Sequence, residues 1–122
     1  MAHILIIDDD QPVRLMLRKM LESEGYVVTD AADGKEGIKC YHENPSDLIV
    51  TDIIMPDKEG TETIVELKKE NPEIKIIAMS GGGRNKPDGY LQTAKLLGAA
   101  RTFAKPIRRD ELLNAIQELL DA

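Results

Sequence analysis

The chain contains few of the residues on which several classes of protein depend. Cys40 is its only cysteine, so no internal disulfide or cysteine-based zinc site is possible, and a reducing cytoplasm is the expected compartment. Tryptophan is absent, and one Phe and three Tyr are the only aromatic side chains, which leaves almost no platform for stacking a flavin or a base. The apolar run at the N-terminus, residues 4–7, is far too short for a signal peptide or a membrane span.

Basic residues are also few in comparison with acidic ones. The 16 Lys and Arg against 22 Asp and Glu give a formal net charge of −6. An acidic domain repels phosphate backbones, so direct binding of nucleic acid is not expected. The 122 residues, 42% hydrophobic and 31% charged, fit one soluble globular domain. We therefore expect a single domain over residues 1–122 that is cytoplasmic and binds neither nucleic acid nor membrane.

Two hydrophobic periodicities alternate along the chain. Short apolar runs predict strands near 4–7, 26–29, 48–51, 74–79 and 101–104. Apolar residues three and four apart predict helices between Pro12 and Gly25, from Gly34 to before Pro45, and near 58–70, 91–97 and 112–120. This strict alternation indicates an α/β fold with a doubly wound parallel sheet. Periodicity alone does not give the order of the strands.

Polar residues follow the predicted strands at their carboxyl ends, where open α/β sheets form their sites. Strand one ends at three aspartates, residues 8–10, and strands three, four and five end at Asp52, Ser80 and Lys105. Carboxylates 4–5 Å apart repel by roughly 3–4 kcal/mol per pair at an effective dielectric near 20, and Mg²⁺ accepts such oxygens as ligands. Because an Asp nucleophile, a metal, a lysine and a hydroxyl suit phosphoryl transfer, this edge predicts that chemistry.

Four segments of the chain together resemble the receiver domain of response regulators in two-component phosphorelay systems. Each motif alone is weak, but four of them at successive strand ends, in order, are specific, and the resemblance covers essentially the whole chain. It implies a flavodoxin-like (βα)5 sheet with strand order 2-1-3-4-5. The matching segments are ILIIDDD at 4–10, DIIMP at 52–56, AMSG at 78–81 and KP at 105–106.

The resemblance also implies a role for each residue of the site. Asp52 would be the phosphoacceptor, and Mg²⁺ would be held by Asp8, Asp9, Asp52 and the backbone carbonyl of Ile54. Ser80 and Lys105 would each bind a phosphoryl oxygen.

A switch is implied as well. Phe103, together with Ser80, would reorient on activation, and the bond between Lys105 and Pro106 would be cis. Three features depart from the family. Phe103 has no hydroxyl, so its switch would rest on packing alone, and the glycine-rich loop 81–88 looks longer than usual. The apolar Ile54 predicts slow attack of water on the phosphoryl group, which an Ile54→Asn variant would accelerate.

Other conspicuous residues have ordinary structural interpretations. Asp10 is interpreted as a surface or helix-capping residue and Cys40 as inert helix filler. His3 is expected at the edge of a strand and His42 in solvent, neither of them as a ligand.

The resemblance predicts a signalling switch that accepts a phosphoryl group on Asp52 from a sensor histidine kinase or a histidine phosphotransfer protein. It would not be an enzyme in the ordinary sense, although it would catalyse its own phosphorylation and slow dephosphorylation. No output domain is expected after Ala122, so the target would be another protein.

Three other functions were compared with this one. A phosphohydrolase would need a general acid where Ile54 stands, and a flavodoxin-like electron carrier would need aromatics at its cofactor site. A receiver-like scaffold that is never phosphorylated remains open.

Overall fold

The computed structural model of the chain describes residues 2–53, 60–80 and 94–121. Its strands are β1 (His3–Ile7), β2 (Val27–Ala31), β3 (Leu48–Asp52), β4 (Lys75–Ser80) and β5 (Arg101–Ala104). Its helices are α1 (Gln11–Ser23), α2 (Gly34–Glu43), α3 (Gly60–Glu70), α4 (residues 94–97) and α5 (Arg109–Asp121).

All five strands pair in parallel in the order β2-β1-β3-β4-β5. The predicted α/β class and the flavodoxin-like order are therefore confirmed. Among the strands the largest difference is at β2, which begins one residue later and ends two residues later than predicted. The backbone N–H of Tyr26 bonds to Leu21 at the end of α1, and pairing with β1 continues as far as Ala31 opposite Ile7.

Helices cover both faces of the sheet, and each face has its own hydrophobic cluster. We call the face under α1 and α5 the α1/α5 face and the opposite one, under α2, α3 and α4, the α2–α4 face. Successive residues of a strand point to opposite faces, which explains why the central strands are apolar throughout. The α1/α5 cluster includes Ile4, Ile6, Leu17, Leu21, Val50, Met79 and Ile116, and the α2–α4 cluster Leu5, Ile7, Ile38, Tyr41, Ile49, Ile64, Leu67 and Ala94.

Carboxylates begin two of the helices, and the one at Asp10 was expected. Asp10 is the N-cap of α1 and accepts a hydrogen bond from the backbone N–H of Val13 at 3.3 Å. Asp33 caps α2 in the same way, through the N–H of Glu36 at 2.8 Å. Such caps satisfy backbone donors that lack a partner within the helix.

Two glycines allow close packing or a turn that other residues would resist. At Gly37 of α2, an added Cβ would overlap the side chain of Ile7 in β1. Gly98 has φ +124° between α4 and β5, a conformation that favours glycine. The aliphatic part of Lys68 from α3 lies over it.

Two apolar side chains within the predicted helices are exposed. Met16 is 52% exposed and Leu96 is 88% exposed, so neither is a core residue.

His42 is exposed and lies beside Glu70. Cys40 packs against the α2–α4 cluster, where burial raises the pKa of its thiol. Within the described ranges, no helix is both long and apolar enough to cross a bilayer.

Candidate phosphoryl-transfer site

The parallel sheet brings the predicted site residues to one edge. Asp52 and Ser80 are the last residues of β3 and β4, and Asp8 and Lys105 directly follow β1 and β5. Asp8, Asp52 and Ser80 are all buried. Sequence positions nearly a hundred residues apart therefore contribute to one cluster.

Asp8 is held by four different parts of the chain. Its backbone N–H donates to Ala31 at 3.1 Å, and its carbonyl accepts from Arg14 Nη1 at 2.7 Å. Its Oδ1 accepts from the N–H of Asp10 at 2.9 Å, and its Oδ2 from Lys105 Nζ at 2.8 Å. Asp8 is thus a fixed, fully buried carboxylate.

Asp52 is also fixed, but one side of its carboxylate faces Lys105. Its Oδ1 accepts the N–H of Ile53 at 2.8 Å, and its Oδ2 lies 3.3 Å from Lys105 Nζ. The buried hydroxyl of Thr51 donates to the carbonyl of Asp52 at 2.9 Å. A carboxylate with a fixed rotamer beside a cation is suited to nucleophilic attack on phosphorus.

Lys105 is the cation of the cluster. Burial opposes its charge, but the hydrogen bond to Asp8 and the charges of Asp52 and Asp8 outweigh burial, so the pKa of Lys105 lies above its ordinary value. Its backbone N–H donates to the carbonyl of Ser80 at 2.8 Å, and its peptide bond to Pro106 is cis, as expected.

The three aspartates fit a divalent cation. Asp8, Asp9 and Asp52 each offer an oxygen, and these oxygens lie within 4.8 Å of one another. Ligands of one Mg²⁺ at about 2.1 Å stand at most about 4.2 Å apart, so a small inward movement would place all three around one ion. Asp9 is exposed, which leaves room for the waters that Mg²⁺ retains. Ile54, the fourth expected ligand, lies outside the described residues.

Ser80 has a buried hydroxyl whose Oγ has no hydrogen-bond partner within residues 2–53, 60–80 and 94–121. Leaving a buried polar group unpaired costs about 1–3 kcal/mol. A phosphoryl oxygen arriving at the strand ends would supply the missing partner.

Phe103 and Ser80 were expected to reorient together, and the register of β5 shows how the two side chains lie relative to each other. β4 and β5 are in register, with Met79 opposite Phe103 and Ser80 opposite Ala104. Met79 and Phe103 belong to the α1/α5 cluster, so the ring of Phe103 lies on the opposite face from the side chain of Ser80. Thr102 is the half-buried β5 residue that shares the face of Ser80.

Two features of the site were not expected from the sequence. One is the bond from Arg14 to the carbonyl of Asp8; an arginine in the first turn of an amphipathic helix carries no signal that distinguishes it from a solvent-facing one. The other is an open groove of about 420 Å³ that ends at Lys105, lined by Val13, Met16, Leu17, Met79, Lys105, Pro106 and Ile107. The loop 81–88 lies outside the described residues.

Comparison with known proteins identifies the class to which this fold and site belong. The family profile described as response regulator receiver domain matches residues 4–117, and the chain belongs to that family. Receiver domains are phosphorylation-dependent signalling switches that are modified on an aspartate, and they are not ordinary enzymes.

Individual relatives match over nearly the whole chain. It is 33% identical to the chemotaxis protein CheY of Bacillus subtilis (99% of this chain, 100% of that protein). It is 32% identical to sporulation initiation phosphotransferase F of the same organism (96% and 92%). It is also 32% identical to the transcriptional regulatory protein GlrR of Escherichia coli, covering 98% of this chain but only 26% of that longer protein.

Solved structures of receiver domain proteins have the same fold as this chain. A response regulator receiver domain protein from Clostridium thermocellum superposes with a TM-score of 0.91 at 29% identity, over 99% of this chain and 95% of that one. A CheY-like receiver domain protein from Methanospirillum hungatei superposes with a TM-score of 0.85 at 35% identity, over 99% and 94%.

Proposed function

We propose that Asp52 accepts a phosphoryl group from a phosphohistidine donor, with Mg²⁺ held by Asp8, Asp9 and Asp52. The observation that carries this is the convergence of three carboxylates within 4.8 Å of one another, with Lys105 in contact with two of them. A carboxylate nucleophile, a metal site and a cation in one place are the parts that phosphoryl transfer requires.

Phosphoryl transfer to Asp52 exchanges one bond to phosphorus for another. An oxygen of Asp52 bonds to phosphorus as the bond from phosphorus to the donor's histidine nitrogen breaks, and that nitrogen keeps the electron pair and takes up a proton from solvent. Lys105 pairs with a phosphoryl oxygen as a point charge. Bound Mg²⁺ would neutralise charge on the transferring oxygens. Slow attack of water on the same phosphorus would break its bond to the Asp52 oxygen, releasing inorganic phosphate and returning the carboxylate.

Ser80 and Lys105 would couple the phosphoryl group to the rest of the domain. Phosphorylation adds about −1.5 to −2 charges, and both side chains lie at the strand ends where that charge would appear. Movement of Ser80 and Lys105 would change the face formed by α4, β5 and α5, to which a downstream protein would bind. Phe103 is left out of this proposal, because its ring packs on the face of the sheet opposite to the side chain of Ser80.

A sensor histidine kinase or a histidine phosphotransfer protein would be the donor, and the cytoplasm the compartment. Asp52 is only 5% exposed, so the donor must present its histidine closely at this edge. The groove that ends at Lys105 offers apolar contacts beside the site, including Met16 and Ile107.

The deciding experiment is intact-mass spectrometry after incubation with acetyl phosphate, a small-molecule phosphodonor, and Mg²⁺. The wild type should gain one phosphoryl group, Asp52→Ala should gain none, and a chelator should abolish the gain. Asp10→Asn is the matched control, since it removes a neighbouring carboxylate while keeping a side chain that can cap α1. No gain by the wild type would leave the unphosphorylated scaffold as the better interpretation.

A further inference from the structure

Asp9 differs from the other two aspartates of the metal site in how it is held. Asp8 and Asp52 are buried and hydrogen-bonded, whereas Asp9 is exposed. Among the described residues, no hydrogen bond or ion pair reaches its carboxylate. The position of Asp9 therefore depends on the backbone on either side of it.

The side chain of Arg14 holds that backbone on the side of Asp8, and the first backbone bond of α1 holds it on the side of Asp10. Its Nη1 donates to the carbonyl of Asp8 at 2.7 Å, and its backbone N–H donates to the carbonyl of Asp10 at 2.9 Å. The carbonyl of Asp8 belongs to the peptide plane that leads into Asp9, so the guanidinium fixes the orientation of that plane. A rotation of this plane would move the carboxylate of Asp9 relative to the fixed oxygens of Asp8 and Asp52.

We propose that Arg14 is a positioning residue for the metal site and holds Asp9 in the place where it can share a cation with Asp8 and Asp52. This inference rests on the proposed function, because it concerns the same Mg²⁺. It goes further in assigning part of the affinity for Mg²⁺ to a residue of α1 that does not touch the metal.

Charge and positioning predict opposite effects of removing Arg14. A guanidinium beside a cation site repels the cation, so if only its charge mattered, its loss would tighten binding of Mg²⁺. If Arg14 positions Asp9, its loss weakens binding, and residues that orient metal ligands typically contribute about 10- to 100-fold to affinity. Whether the loss of Arg14 weakens or tightens the binding of Mg²⁺ therefore distinguishes positioning from charge.

The test compares Arg14→Met with Arg18→Met by calorimetric titration of metal-free protein with Mg²⁺. Both changes replace an α1 guanidinium by an apolar side chain, but Arg18 pairs with Glu22 and Asp30 and not with Asp8. We expect about tenfold weaker binding for Arg14→Met and no weakening for Arg18→Met. Arg14→Lys keeps the charge and one donor group and should lie between the wild type and Arg14→Met.

Two further readouts distinguish positioning from general damage. Urea unfolding in EDTA should show that Arg14→Met is folded, and at saturating Mg²⁺ its rate of mass gain from acetyl phosphate should return close to that of the wild type. Binding of Mg²⁺ by Arg14→Met as tight as that of the wild type, or a rate that stays low at saturating Mg²⁺, would overturn the inference. Absence of Mg²⁺ binding by the wild type would overturn it together with the proposed function.

Discussion

The ammonium of Lys105 lies 2.8 Å from Oδ2 of Asp8, a residue 97 positions away in the chain. The same nitrogen lies 3.3 Å from Oδ2 of Asp52. One cation thus compensates two buried carboxylates at the ends of separate strands. Because repulsion between those carboxylates would otherwise oppose folding, Lys105 stabilises the domain as well as serving the proposed chemistry.

Lys105→Met should therefore destabilise the metal-free protein. Breaking a buried pair costs about 3–5 kcal/mol, and because Lys105 keeps some exposure to water we expect roughly 2–3 kcal/mol. Urea unfolding in EDTA measures this. Adding Mg²⁺ should recover more unfolding free energy in the variant than in the wild type, since the metal replaces the missing cation. Lys19→Met, on the exposed side of α1, is the control; an equal loss there would contradict the prediction.

Ser80→Ala should separate stability from signalling. The hydroxyl is buried with no partner in the part of the chain that the structure describes, so removing it should leave the unfolding free energy unchanged or raise it by up to about 1 kcal/mol. The phosphorylated protein should lose the contact that Ser80 makes with the phosphoryl group. We therefore expect smaller phosphorylation-induced amide shifts along β4 and β5 in NMR spectra. Destabilisation by more than 1 kcal/mol would instead show that the hydroxyl has a structural partner.

Gly37→Ala should destabilise the fold through contact with one side chain. The new methyl group would overlap the end of Ile7, and such overpacking costs about 1–3 kcal/mol. Ile7→Val removes Cδ1, the nearer of the two overlapping atoms, and keeps Cγ1. Gly37→Ala should therefore cost less in that background but should still destabilise. A double-mutant cycle from urea unfolding checks this; additive changes would place the cost elsewhere, such as in the backbone of α2.

Much of the fold and of the site could be predicted because parallel strands are buried on both faces and read as continuous apolar runs. β5 has the predicted bounds, and Asp8, Asp52, Ser80 and Lys105 meet at the strand ends where an α/β sheet gathers its polar residues. The order of the strands came from the family resemblance, since periodicity contains no information on which strands are neighbours.

The side on which a residue lies was harder to predict. The four-residue β5 alternates between two packed faces, so the sequence alone does not show which face holds Phe103, and only its register with β4 decides this. Met16 has the same helical spacing as the buried residues of α1. Its side chain is nevertheless half-exposed, because the sheet does not cover that part of the helix surface. The bond from Arg14 depends on the path of the turn before α1, which no sequence pattern specifies.

Two neighbouring residues of β5, on opposite faces of the sheet, should respond differently to phosphorylation. Thr102 shares the face of Ser80, whereas Phe103 packs against the α1/α5 cluster. Phosphorylation should therefore shift the methyl signal of Thr102 more than the ring signals of Phe103. Phe103→Leu should reduce stability by about 1 kcal/mol, because a half-buried aromatic is exchanged for a smaller side chain. It should leave the phosphorylation-induced shifts of Thr102 in place. Loss of those shifts in Phe103→Leu, with the mass gain retained, would return the switch role to Phe103.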